Sequence, residues 1–289
     1  MPENKWSFQE NTNGAFDGFK DAGIEYFTGS PYSSLAREVI QNSLDARKSR
    51  VKPVKVHFDL IEVPREKFPD FAGLKEAFLK ALDQSKALGD NEATVFFDNA
   101  LKHVMSRKKI AFLRIADTNT KGLEGPCVLK KPFYAFLKAT GQSIKPSEEA
   151  GGSYGIGKNA PYAISDLRCM LVSTKYGKAP PYEELAQGKA ILMSHIDNSG
   201  RTISGIGYYG SPDQCLPIQP NSKIPSWIRR EDQFKGPSDL RGTSIFVAGF
   251  RVQKNWQNLL IASIISNYFC AIFKGDLEVH IDDGAHVIN

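Results

Sequence analysis

The chain changes its hydrophobic period repeatedly, and the changes divide it into helices and strands. Between Ser33 and Ser49 the residues Ala36, Val39, Ile40 and Leu44 fall on one arc at three- and four-residue spacing, which predicts a helix started by Pro31-Tyr32-Ser33. Val54, Val56, Phe58 and Leu60 then alternate with Lys55, His57 and Asp59, the two-residue period of a strand over 54–63. The stretch 66–105, rich in Phe, Leu, Lys and Ala, reads as a helical insertion. Ile110 to Ala116 is a short apolar run that ends abruptly in polar Asp117-Thr118-Asn119-Thr120-Lys121-Gly122, the pattern of a buried strand delivering its C-terminal end to a site.

Helices are predicted over 128–138 and 159–165, on either side of a polar, glycine-rich stretch at 141–157. Strands are predicted over 168–175, 190–196, 203–209 and 244–250, mostly close enough in sequence to be antiparallel neighbours. Pro212, Pro217, Pro220, Pro225 and Pro237 make 211–240 a long connector, and a helix over 256–274 precedes a strand at 277–281. Such alternation without a repeat predicts one α/β (α+β) layered domain over 1–289, carrying the 66–105 insertion. The hairpin signal at 283–289 has a return strand barely begun, which leads us to expect the N-terminal part of a longer protein.

Composition changes this picture little. With 37 Lys+Arg against 32 Asp+Glu, 41% apolar and 24% charged residues, the chain excludes wholesale disorder and a collagen-like structure. The most apolar stretch, 259–273, is broken by Ser263, Ser266 and Asn267 and falls short of the roughly 20 residues of a membrane span, so it reads as a buried helix. The start, Met1-Pro2-Glu3-Asn4-Lys5-Trp6, lacks the apolar core of a secretory signal, and a cytoplasmic location is expected. Cys127, Cys169, Cys215 and Cys270 are scattered and read as structural thiols, and the five histidines show no ligand spacing. The basic pairs Arg47-Lys48, Lys130-Lys131 and Arg229-Arg230 and the run Arg107-Lys108-Lys109 are short and read as solvated surface.

Two constellations carry candidate chemistry. On the first predicted helix Glu38, Asn42 and Asp45 stand at i, i+4 and i+7, within about 60° of one another, as either a solvated face or an acid, an amide and a second acid shown to a cleft. The segment Gly151-Gly152-Ser153-Tyr154-Gly155-Ile156-Gly157-Lys158-Asn159-Ala160 matches the spacing of a P-loop, of a dinucleotide-binding turn and of a nucleophile elbow. All three need a strand immediately before the loop, and Ile144 to Ala150 is not one; the P-loop further lacks its Ser/Thr, replaced by Asn159. What remains is a glycine-rich loop entering a helix at Asn159 with Lys158 beside it, either a phosphate cradle or a plain turn.

In order along the chain, Glu38-x-x-x-Asn42-x-x-Asp45-Ala46, the strand-borne Asp117 with Gly122, the series Gly152, Gly155, Gly157, and Gly242-Thr243 resemble the motifs of the GHKL ATPases (gyrase, the large heat-shock chaperone, histidine kinases and MutL). The match spans about 30–281 and looks closest to the MutL, MORC and heat-shock chaperone type. The resemblance implies a Bergerat-type two-layer sandwich, with a mixed, mostly antiparallel sheet covered by helices on one face. It implies that Asn42 ligates Mg2+ through its amide oxygen, that Glu38 is the general base for the attacking water, and that Asp45 supports the metal and phosphate environment. Asp117 would accept from the adenine amino group of ATP, assisted by Thr243, and Gly122 would let the backbone approach the nucleotide. The lid over the phosphates would be Gly152, Ser153, Tyr154, Gly155, Ile156 and Gly157, with Lys158 on the anion. Asn119 stands where the family has a glycine, with one extra residue before Gly122, and its tolerance of left-handed backbone allows a similar turn.

From the same resemblance we expect slow ATP hydrolysis that drives closure and nucleotide-dependent homodimerisation. The downstream partner would be DNA, in a bacterial DNA-associated or genome-defence machine, or a protein, in a chaperone-like machine, reached through C-terminal modules. A non-hydrolysing ATP sensor is the third reading, and no membrane partner is expected.

Overall fold

The computed structural model describes residues 3–140, 155–218, 224–234, 240–282 and 284–289. Its spine is a mixed sheet of ten strands: β1 (Lys5–Glu10), β2 (Val54–Pro64), β3 (Lys109–Thr118), β4 (Ser165–Tyr176), β5 (Glu183–Ile191), β6 (His195–Ile196), β7 (Thr202–Gly210), β8 (Gly242–Phe250), β9 (Leu277–Ile281) and β10 (His286–Ile288). Their order is β1-β7-β5-β4-β8-β3-β2-β9-β10, with β6 paired to β7. The β2–β9 pair is parallel and the other pairs are antiparallel, the mixed, mostly antiparallel sheet expected. Among the described residues eight α-helices accompany it: α1 (Ala22–Thr28), α2 (Pro31–Asp45), α3 (Phe71–Leu88), α4 (Asn91–Asn99), α5 (Pro132–Leu137), α6 (Ala160–Ala163), α7 (Arg230–Gln233) and α8 (Trp256–Phe273).

Strand alternation sends side chains to two cores. Val56, Phe58, Leu113, Ile115, Val172 and Val247 meet α2 and α8 on one face, where Leu35, Ile40, Leu260 and Ile264 are buried. Each such side chain contributes about 2 kcal/mol on leaving water. Phe112, Leu171 and Phe246 point the other way and meet Leu74, Phe78 and Phe97 of α3 and α4. To the expected two layers the insertion therefore adds a partial third, and helices lie on both faces rather than one.

Several boundaries differ from the sequence reading for identifiable reasons. α2 stops at Asp45 rather than near Ser49, because Lys121 N donates to Ala46 O at 2.9 Å and Lys48 N donates to Asn119 O at 2.9 Å, capturing the backbone for the turn after β3. α5 begins only at Pro132, since the residue before a proline, Lys131, is extended. The helix expected over 159–165 is a 3-10 turn at Gly157–Asn159 followed by α6, and Ser165 already belongs to β4. β5 starts at Glu183 instead of 190, because Gln187 and Lys189 lie buried on it and blur the apolar alternation. β1 and α1 carry no strong periodic signal and emerge only here.

The return strand of the last hairpin does form, as β10 on β9. α8 is buried along Trp256, Leu260, Ile264 and Tyr268, whereas Ile265, Phe269 and Phe273 are exposed, so it is not buried all round as expected. Among the described residues it is the helix long and apolar enough to cross a membrane by length and composition.

Candidate functional site

β3 brings Asp117 to its C-terminal end, where the side chain is 8% exposed. Three elements grip its carboxylate. Ser43 Oγ of α2 donates to Oδ2 at 3.0 Å, Thr120 Oγ1 donates to Oδ1 at 2.7 Å, and the backbone N–H of Thr243, at the start of β8, donates to Oδ1 at 2.8 Å. Charge-assisted bonds of this kind hold a carboxylate in one orientation. Gly122 follows at φ +73°, and a Cβ there would lie 2.5 Å from Lys175 O and 2.8 Å from Thr174 Oγ1, so only glycine lets the chain pass.

Asn119 adopts the left-handed backbone expected of it, at φ +59°. Its side chain does not face Asp117. Nδ2 donates to the carbonyls of Ser49, Lys52 and Pro53 at 2.9, 2.8 and 3.2 Å, and Arg47 donates to those of Ser49, Arg50 and Lys52. Together they clamp the 47–53 turn from inside. Arg47, read from sequence as surface charge, is thus turned inward, with Nη1 on Asp276 at 2.5 Å.

On α2, Glu38 and Asn42 share the expected stripe, Glu38 with a side chain 14% exposed and Asn42 exposed. Gly157 packs directly on the acid: a Cβ there would lie 2.0 Å from Glu38 Oε2, so the end of the glycine segment approaches Glu38 as only glycine can. Gly155, at φ +76°, and the half-exposed Ile156 precede it, while Gly152, Ser153 and Tyr154 lie outside the described residues. Asp45 accepts from Gln41 Nε2 at 2.8 Å and lines a groove of about 610 Å3 with Arg47, Arg50 and Asp276. It therefore faces the end of α8 as well as the Glu38 stripe.

Lys158 departs from expectation. Its ammonium donates to Ala135 O at 2.8 Å and to Ala139 O, and Lys189 donates to Leu137 O at 2.9 Å, so both satisfy carbonyls left open at the end of α5. Burial lowers the Lys158 pKa, and burial with the neighbouring Lys158 charge lowers that of Lys189 to about 8.

Sequence reading missed Ser43, Thr120 and Arg230. Ser43 follows Asn42 directly but sits on the helix's inner arc; Thr120 lies inside the quoted turn. Arg230 was hidden in the pair Arg229-Arg230, read as surface, yet it is fully buried. A separate groove of about 840 Å3 lies between β1, β7 and α3. Three of its carboxylates have partners within the protein: Asp70 accepts from Trp6 N at 2.7 Å and Gly73 N at 3.1 Å, Glu76 pairs with Lys80, and Asp197 holds Arg201. No protein-family model and no curated protein matches this chain.

Proposed function

We propose that the chain binds ATP with Mg2+ where α2, β3 and β8 meet, and hydrolyses it slowly in the manner of the GHKL ATPases it resembles. The supporting observation is the grip on Asp117: its donors lie 74 residues before it, on Ser43, and 126 residues after it, on Thr243, so three widely separated motifs converge on one carboxylate. Such convergence follows from a shared task more readily than from composition.

The residues fit the ligand pair. Asp117 has both oxygens engaged by donors, and a carboxylate retains acceptor capacity for one more, here the exocyclic amino group of adenine. Gly122, Gly157 and Gly242 stand where any side chain would collide with the protein's own atoms, so the separate motifs close tightly on Asp117 and Glu38. Asn42 offers a hard amide oxygen, the donor type magnesium takes in small number when phosphates and water complete its shell. The ion supplies charge neutralisation on phosphate oxygens when bound. Glu38 orients water and takes its proton; Asp45 shapes the surroundings of Asn42. Lys158 serves the anion only on leaving the α5 carbonyls.

Calorimetric titration with Mg-ATP, paired with a phosphate-release assay, tests this. Wild type binds and turns over; Asp117→Asn loses binding; Glu38→Ala binds without turnover. Absence of binding by wild type overturns the reading. We place the role of turnover in a nucleotide-gated dimer that engages DNA, in keeping with the net charge of +5.

A further inference from the structure

Arg230 has 0% exposure, at the start of α7 in the proline-rich connector. Its guanidinium donates to Asp117 O at 2.6 Å, Ser244 Oγ at 2.7 Å, Thr243 O at 3.1 Å, Leu240 O at 3.2 Å and Arg241 O at 3.5 Å. These acceptors are all neutral oxygens. A buried cation served in this way is costly unless its bonds are well made, and burial lowers its pKa to about 10, still charged at neutral pH.

The placement of those bonds is informative. One guanidinium ties the carbonyl of Asp117 on β3 to the carbonyl of Thr243 on β8, and the N–H of Thr243 closes the ring by donating to Asp117 Oδ1 at 2.8 Å. At Gly242, φ +142°, a Cβ would lie 2.5 Å from Asp117 O and 2.6 Å from both Arg230 Nη2 and Asp117 Oδ1. The junction therefore has no slack. Arg230 reaches it from the sheet face opposite α2, since its neighbours Trp227 and Ile228 belong to the second core.

The segment that carries Arg230 is itself fastened. Glu184 Oε1 accepts from Arg230 N at 2.8 Å, Trp227 Nε1 donates to Lys67 O at 3.2 Å, and the Trp227 ring packs on Phe112 and Phe246 at 5.1 and 5.3 Å. Phe234 lies under the guanidinium at 4.8 Å.

We infer that Arg230 is a positioning residue for nucleotide selection: it fixes the Asp117 carboxylate against Thr243 from behind, and so sets the preference for a base bearing an exocyclic amino group. This rests on the function proposed above. Ser43 and Thr120 orient the carboxylate from the front, and Arg230 fixes the strand ends from which it projects. Without the guanidinium, Asp117 and Thr243 lose their common reference and the amino group meets a carboxylate that wanders.

The test compares wild type with Arg230→Lys and Arg230→Met, measuring dissociation constants for ATP and for inosine 5′-triphosphate, which lacks the amino group. In the nucleotide-free proteins, deuterium exchange of the Thr243 amide is followed by NMR, with thermal melts to establish folding. Wild type prefers ATP; Arg230→Lys, which keeps the charge but not the fork, reduces the ATP-to-inosine ratio about tenfold and speeds Thr243 exchange. A merely structural role lowers the melting temperature of Arg230→Met and leaves the ratio of folded Arg230→Lys unchanged. An unchanged ratio in folded Arg230→Lys, whether or not Thr243 exchange changes, overturns the inference while the nucleotide reading stands. If wild type binds neither triphosphate, the nucleotide reading fails and the inference falls with it, whatever the Thr243 exchange.

Discussion

The two halves of the proposed site are constrained to very different degrees. At the strand end, Asp117 takes three donors and its carbonyl is held by a buried arginine, with glycines at 122 and 242 packed too closely for any side chain. On α2, Asn42 is exposed and Glu38 meets the backbone of Gly157. A group that recognises gains by being fixed before its ligand arrives, because less ordering remains to be done on binding. A group that acts on water needs room for the water. For the function proposed above, the difference predicts that nucleotide binding and turnover are separable by mutation, one resting on the rigid strand-end junction and the other on the α2 stripe that Gly157 packs against.

The sharpest way to break that separation is at Glu38. Glu38→Ala is expected to reduce phosphate release about a thousandfold while ATP affinity stays within about twofold; a parallel loss of affinity merges the two halves. Asp117→Asn is expected to weaken ATP binding about a hundredfold by calorimetry, since an amide presents a donor where three donors already converge. Gly122→Ala drives a Cβ to 2.5 Å from Lys175 O and forces a left-handed residue, so urea unfolding should show a loss of about 3 kcal/mol.

Asn119→Gly keeps the backbone conformation and removes only the clamp on the 47–53 turn. It is expected to cost about 1–2 kcal/mol with ATP affinity unchanged, which marks Asn119 as outside both halves. The pH dependence is electrostatic. His57 stacks on His280 at 4.5 Å and on Phe234 at 5.6 Å, and burial, with the His280 ring beside it, lowers its pKa to about 4. The unfolded chain binds this proton more readily, so stability is full above pH 6.5 and declines as pH falls toward 4. Urea midpoints at pH 7 and 4.5 should differ less in His57→Phe than in wild type.

Much of the fold was legible in the period of apolar residues. α2, β2, β3, β8, β9 and α8 follow it: α2, α8 and β9 bury one regular face, and β2, β3 and β8 send alternate apolar side chains to the two cores. β5 was cut short because Gln187 and Lys189 lie inside, where bonds across the domain replace apolar character. Of the candidate site residues, the structure brings Thr243 onto Asp117 and Gly157 onto Glu38, positions that stood out in the sequence because each motif is short and the order of the motifs along the chain is visible. Ser43 and Arg230 did not: a serine on an apolar arc and an arginine in a basic pair gain meaning only from partners 74 and 113 residues away. The direction of Lys158 was equally hidden, since it depends on where α5 ends.

The parallel pairing of β9 on β2 has a consequence in time. Lys55 and Glu278, bonded across that pair at 2.7 Å, are 223 residues apart, so the outer neighbour of β2 is synthesised only after β3, β4, β5, β7 and β8. Loop closure over such a span is slow relative to the β2–β3 pairing, and until it happens the β2 edge offers unpaired amides and carbonyls to any passing strand. A chain cut before Leu277 would leave that edge uncovered and is expected to self-associate through it, whereas β9 covers it here.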